Sequence, residues 1–161
     1  MLPNRYRAAF RVTTAMAKKV RRKGKRGEAP TSDCLLLCDD VLISQGKNKH
    51  SLIGVIGGIG VAEFPAILAG YVAYARFSNV YSGSKVEISL ISADTEEPLF
   101  KARAEFPAQS DPLGVYTLVI PIKPFRVPAP GRYLFGAYHD GVAIATSPIV
   151  IQGPSDAQRA T

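Results

Sequence analysis

The chain has 161 residues, of which 47% are hydrophobic and 20% charged, and its formal net charge is +7. This length suits one domain with an appendage, and the hydrophobic content is sufficient for a buried core. Residues 1–28 hold ten Lys and Arg against the single acid Glu28, whereas residues 29–161 hold ten basic and twelve acidic residues. The positive charge therefore belongs to the first segment, and no basic face is expected on the remainder of the chain.

The first segment, residues 1–32, is predicted to be a basic flexible arm that is disordered or partly helical. Its end, VRRKGKRGEAPTS, has nothing to bury, and NRYRAAFRVTTAMAKKV before it can form a helix only where a partner supplies apolar surface. Such a segment binds polyanions non-specifically through counterion release. The polyanion-binding residues that we expect are Lys18, Lys19, Arg21, Arg22, Lys23, Lys25 and Arg26. The alternatives are a solvating tail and a translation start at Met16 in place of Met1.

After Asp33 the pattern changes to an alternation of period two, which predicts strands. The first predicted strand, residues 34–44, contains Cys34 and Cys38. On a strand the two cysteines share a face but lie about 13 Å apart, too far for a disulfide. We therefore expect two small buried apolar side chains, whereas on a helix the same residues could pair or bind a metal.

The stretch SLIGVIGGIGVAEFP, residues 51–65, could be a phosphate-binding loop, a membrane span or two strands that meet at a glycine turn. The third glycine of a dinucleotide fingerprint and the Lys-Ser/Thr of a phosphate loop are both missing. A membrane span over residues 51–75 is disfavoured, because Glu63 and Pro65 lie near its middle. The remaining interpretation is a buried strand from Ser51 to Ile56, a glycine bend, and a continuation toward another sheet. Replacing Gly58 with Val is expected to damage folding.

Short strands separated by turn signals continue to the end of the chain, and only residues 65–69 are predicted as a helical turn. The predicted strands are residues 34–44, 50–57, 59–63, 71–78, 85–92, 98–106, 114–122, 132–139 and 142–151. Asp140-Gly141 predicts a two-residue hairpin turn. Tyr133, which opens the penultimate strand after a Pro-Gly loop, fits a tyrosine corner or a simple buried aromatic.

These elements predict an all-β fold, an immunoglobulin-like antiparallel β-sandwich of about seven to nine strands. The predicted organisation is a basic arm (1–32), the sandwich domain (33–152) and a disordered C-terminal tail (153–161). The proline-rich connection PIKPFRVPAPG is interpreted as an extended crossover between the sheets, with a polyproline ligand for a partner as the alternative.

Residues that could carry out chemistry are few. Asp39, Asp40 and His139 are the candidates for a hydrolase or a metal site, but neighbouring strand residues face opposite ways and turn or edge charges explain them more simply. We find no nucleophile elbow and no Cys/His set for zinc. The expectation is therefore a non-enzymatic protein without catalytic residues, metal or cofactor.

Four segments carry a resemblance to a known family: LLLCDDV at residues 35–41, SLIGVIGGI at 51–59, FPAIL at 64–68 and PGRYLFGAYHDGVAIATSPIVI at 130–151. The region from Cys34 to Ile151 resembles a bacterial family of small immunoglobulin-like β-sandwich domains of unknown function. The resemblance implies the fold and implies no activity, and the basic arm extends beyond it.

The sequence thus predicts a cytoplasmic interaction module that binds a protein partner through exposed strand edges or end loops, with no transmembrane segment. In the first alternative, the protein is an accessory to nucleic acid or the ribosome, and the arm supplies affinity for nucleic acid or another anionic surface. In the second, it is a small hydrolase or a metal-binding domain.

Overall fold

The computed structural model describes residues 29–44, 49–107 and 111–154, and these residues form an all-β fold. The all-β prediction is therefore confirmed. Residues 1–28 of the predicted arm, with its seven cationic candidates, and most of the predicted C-terminal tail lie outside the described residues. The last two residues predicted for the arm, Thr31 and Ser32, are part of the first strand. Within the described part, no helix is long and apolar enough to cross a membrane.

Eleven strands make up the described fold. They are β1 (Thr31–Ile43), β2 (His50–Val55), β3 (Gly58–Gly60), β4 (Ala66–Leu68), β5 (Val72–Ser78), β6 (Lys85–Ser92), β7 (Pro98–Glu105), β8 (Tyr116–Pro121), β9 (Phe125–Val127), β10 (Gly131–His139) and β11 (Val142–Gln152). Every predicted strand has a counterpart among them. The two additional strands are β4 and β9, which have three residues each.

The strands form a four-stranded sheet A in the order β2-β1-β5-β8, a five-stranded sheet B in the order β3-β11-β10-β6-β7, and a two-stranded sheet C of β4 and β9. All strand pairs are antiparallel except β3 with β11, which is parallel. The chain leaves sheet A after β2 and enters sheet B at β3, so the predicted crossing near the glycines is confirmed.

The core contains side chains from sheets A and B, as period-two burial requires. Val86, Ile88 and Leu90 of β6 are buried, as their alternation predicts. Phe106, which follows β7, makes edge-to-face contacts with Phe77 of β5 and with Tyr116 of β8, with centroid separations of 5.7 and 5.6 Å. These aromatic contacts join the two sheets and add to the apolar area that they bury.

Tyr133 forms the hydrogen bond that a tyrosine corner requires. Its hydroxyl donates to the carbonyl oxygen of Ala129, four residues upstream, at 2.6 Å. The ring is buried beside β6, so the hydroxyl group at its end would be costly to leave without a partner. This corner fixes the loop before β10 to the strand that follows it.

Two local predictions were wrong. Residues 65–69 are not a helical turn, because Ala66 to Leu68 pair with β9 and bury Leu68 in the core. Ser51 to Ile56 do not form a buried strand, because β2 is the edge of sheet A and most of its residues are exposed. The chain does bend at Gly57, between β2 and β3, as the glycine interpretation predicts.

Gly54, and not Gly58, is the glycine of this stretch that the backbone requires. Gly54 has φ of +61°, a conformation that L-residues rarely adopt, and a Cβ there would overlap the carboxylate of Asp39 on the neighbouring strand. A Cβ at Gly58 would meet only the carbonyl oxygen of Val150 at 3.4 Å, an ordinary contact. A Cβ alone is therefore tolerated at Gly58, whereas Gly58→Val adds two further carbons, and its effect on folding stays a prediction.

Candidate functional site: an uncharged sheet edge

The candidate site is the hairpin of β1 and β2 at one edge of sheet A. Among the described residues no strand pairs with the outer side of β2, so one row of its backbone N–H and C=O groups has no strand partner. Such a row is a template for pairing with another extended chain. The sequence of β2 is HSLIGV, which contains no Lys, Arg, Asp or Glu.

Four large apolar side chains are exposed on this hairpin: Leu42 (52% exposed), Ile43 (50%), Ile53 (46%) and Val55 (55%). We call these four residues, together with the outer side of β2, the apolar edge. The register places Leu42, Ile53 and Val55 on one face of the hairpin and Ile43 on the other. Single exposed apolar residues are common, but three on one face are typical of an interaction surface. The apolar run in the sequence led to the prediction of a buried strand, because periodicity alone does not show whether another element covers a strand.

The β7 edge of sheet B is different. The outermost strand β7 carries Lys101, Arg103 and Glu105 at alternate positions, all exposed. Charged side chains on an edge strand oppose unwanted pairing with other chains. The charged residues of β7 therefore oppose pairing at that edge, whereas β2 has none. The other edge of sheet A, β8, is also uncharged, but it is mostly buried or half-buried, so β2 is the more exposed of the two uncharged edges of this sheet.

His50, the first residue of β2, connects the apolar edge to the middle of sheet A. Its imidazole lies edge-on to the ring of Tyr74 on β5, with centroids 5.7 Å apart, although β1 lies between these two strands in the sheet. Burial lowers the pKa of His50, and the nearby Arg76 lowers it further. His50 is therefore held in its neutral form more strongly than an exposed histidine.

The two cysteines lie on β1, as predicted, and both are free. Cys38 is fully buried and Cys34 half-buried. Burial raises the pKa of the Cys38 thiol, and the neighbouring Cys34 and Asp39 raise it further. A buried, protonated thiol is a poor nucleophile and metal ligand, so Cys38 serves as an apolar side chain.

The structure does not bring the candidate residues for a hydrolase or a metal site together. Asp39 and Asp40 follow Cys38, which pairs with Val72 at the start of β5. His139 lies at the opposite end of the fold, where its Nδ1 is 2.8 Å from the carbonyl oxygen of Lys85. Asp40 instead accepts a hydrogen bond from the N–H of Val41 at 2.7 Å. Within the described ranges, no group of three His, Cys, Asp or Glu could hold a metal ion.

A comparison with protein families identifies the domain that carries this edge. A family model matches residues 33–152, about three quarters of the chain. The chain belongs to DUF6941. This is a family of unknown function, so membership agrees with the resemblance seen in the sequence and assigns no activity. The DUF6941 match contains the whole apolar edge. No curated protein matches the chain.

Proposed function

We propose that this protein is a non-enzymatic, cytoplasmic interaction module that binds an extended strand of a protein partner along the outer side of β2. The apolar edge carries the proposal. Its unpaired backbone row supplies hydrogen bonds to an added strand, and its four exposed side chains supply apolar area for the partner to bury.

The chemistry of the edge defines the kind of partner that fits it. Because β2 has no formal charge, a partner strand gains most of its affinity from main-chain hydrogen bonds and apolar contacts. Asp39 lies one strand inward and is exposed, so we expect basic residues near the apolar segment of the partner to be favoured over acidic ones.

We also infer that the fold is related to immunoglobulin-like sandwiches. The orders β1-β5-β8 and β6-β10-β11 correspond to the A-B-E and C-F-G strands of those domains. The hydrogen bond from Tyr133 to Ala129 adds support. Many domains of this architecture act in binding, which agrees with the proposed function and does not by itself establish it.

The proposed function is tested by comparing two matched variants, Ile53→Lys and Ile67→Lys. Both residues are exposed isoleucines, but Ile53 belongs to the apolar edge, whereas Ile67 lies on β4 and is 75% exposed. A photo-crosslinker at position 53 identifies the partner in native cells, and its affinity for each purified variant is then measured. We expect Ile53→Lys to weaken binding at least tenfold and Ile67→Lys to leave it unchanged. Equal affinities for both variants would refute binding at β2.

A further inference from the structure

The outer face of sheet B contains a shallow hollow that is remote from the apolar edge. The hollow has a volume of about 790 Å³ and extends over β6, β7 and the end of β10. The hollow is deepest where two small residues are neighbours, because Ser89 of β6 pairs with Gly136 of β10 in the register. Longer side chains surround this pair, and they include Lys101, Arg103 and Tyr138. The volume lies in the range of ligand sites.

Tyr138 lies along the surface of the sheet and does not stand away from it. Its Cε2 and hydroxyl oxygen are each 2.6 Å from the position that a Cβ of residue 136 would occupy, so only glycine at 136 permits this ring position. The ring is half-buried. A tyrosine held against a sheet in this way offers a flat apolar surface with a polar tip.

The charged groups of the hollow are balanced and paired. They are Lys85, Lys101 and Arg103 against Glu87, Glu105 and Asp140. Glu87 accepts a hydrogen bond from Nε of Arg103 at 2.8 Å and lies 3.2 Å from Nζ of Lys101. These contacts, chiefly that with Arg103, hold the pKa of Glu87 below its ordinary value. The three basic and three acidic residues leave the hollow with no net formal charge to attract an anion or a cation.

Hydrogen-bonding capacity remains in the hollow. The guanidinium group of Arg103 has five N–H donors and gives only its Nε–H to Glu87, so its terminal nitrogens can still donate. Ser89 is fully buried at the floor, and its hydroxyl has no hydrogen-bond partner among the described residues. Because the Ser89 side chain has no exposed surface, its hydroxyl is not open to a ligand, and the donors that remain for one are those of Arg103.

From this arrangement we propose that the outer face of sheet B is a carbohydrate-binding site, occupied by a neutral pyranose-containing oligosaccharide. A sugar hydroxyl both donates and accepts, so it can bond to the cationic and the acidic groups alike. The apolar face of a pyranose ring stacks on a flat aromatic ring such as that of Tyr138. Donors and acceptors on neighbouring strands are spaced by ~4.8 Å, comparable to the width of one sugar ring. The proposal is independent of the partner at β2.

Titration calorimetry of the full-length chain with cellohexaose, chitohexaose and maltohexaose tests the site. We expect at least one of these oligosaccharides to bind. Tyr138→Ala should weaken that binding about fivefold to tenfold, whereas Tyr138→Phe should retain it, because stacking needs the ring and not the hydroxyl. Arg103→Ala should weaken binding, and Arg126→Ala, an exposed arginine on β9, should have no effect.

Chemical-shift mapping supplies a second readout that does not depend on folding of the variants. With the wild-type chain, the sugar should move the amide signals of Ser89, Lys101, Arg103 and Tyr138. The proposal is overturned if none of the three sugars binds at about 10 mM, or if the shifted signals lie outside this face. If Ile53→Lys loses the protein partner at β2, its sugar binding on sheet B should be unchanged. The two proposals can therefore fail independently of each other.

Discussion

Replacing Gly54 with alanine tests the backbone geometry that shapes the apolar edge. Gly54 has φ of +61° and lies opposite Asp39, between the register pairs Cys38 with Val55 and Asp40 with Ile53. An L-residue in the left-handed region costs about 1–2 kcal/mol. The added Cβ would also overlap the carboxylate of Asp39, but this side chain is exposed and can rotate away. We therefore expect Gly54→Ala to lower the free energy of unfolding by about 1–2 kcal/mol.

Urea denaturation followed by circular dichroism measures this change, with Gly60→Ala as the matched control. A Cβ at Gly60 would meet nothing within 4 Å, and its φ is not positive, so the control should be neutral or slightly stabilising. The double variant Asp39→Gly/Gly54→Ala, compared with Asp39→Gly alone, separates the two terms, because it removes every Asp39 side-chain atom near the added Cβ and leaves the backbone cost. Equal stability of Gly54→Ala and Gly60→Ala would refute the reasoning.

Three further predictions concern the arm, the corner and the histidine. Removing residues 1–28 should abolish salt-dependent RNA binding in filter assays. In the full chain, the logarithm of the RNA-binding constant should fall with the logarithm of the salt concentration, with a slope of about −0.7 per phosphate contact. Unchanged binding after the deletion would exclude a role for the arm. Tyr133→Phe should lower the free energy of unfolding in urea titration by about 0.5–1.5 kcal/mol, because the bond to Ala129 is lost; an unchanged value would show that the corner adds no stability. As the pH falls, His50 takes up a proton in the unfolded chain near its ordinary pKa of 6.5, whereas in the folded protein it does so only at lower pH. Protonation therefore favours the unfolded chain, and the stability of the wild type should fall relative to that of His50→Gln below about pH 6.5, with no such change above about pH 8. Parallel pH profiles for the two proteins would contradict this.

Much of the fold follows from the sequence because the alternation of apolar and polar residues is local. The predicted boundaries of Lys85–Ser92 agree with β6, since apolar and polar residues alternate along the strand and both ends adjoin turns. The alternation in LFKARAEF likewise predicts the charged outer side of β7. These patterns need no knowledge of which strands become neighbours.

The errors lie where neighbours decide the outcome. The apolar residues of β2 indicate burial in the sequence, but β2 is at the edge of sheet A and nothing among the described residues covers its outer side. The three-residue strand β4 is too short for a periodic signal and exists because β9 pairs with it across the fold. The candidate site was missed for the same reason, because an edge is a property of sheet order.

The hollow on sheet B was also absent from the sequence-based prediction. Ser89 and Gly136 are 47 positions apart in the chain and become neighbours only through the β6–β10 register. Gly136 carries one detectable signal, since a glycine within a strand often marks a close approach by another group. The approaching group is the ring of Tyr138, two residues further on the same face.

Hydrogen–deuterium exchange of the protein with and without its crosslinked partner tests the central claim most directly. We expect partner binding to slow exchange of the outward-facing amides of β2, from His50 to Val55, and to leave exchange in the charged edge β7, from Pro98 to Glu105, unchanged. Protection of β7 or of the end loops, with β2 exchanging as fast as in the free protein, would contradict strand addition at the apolar edge.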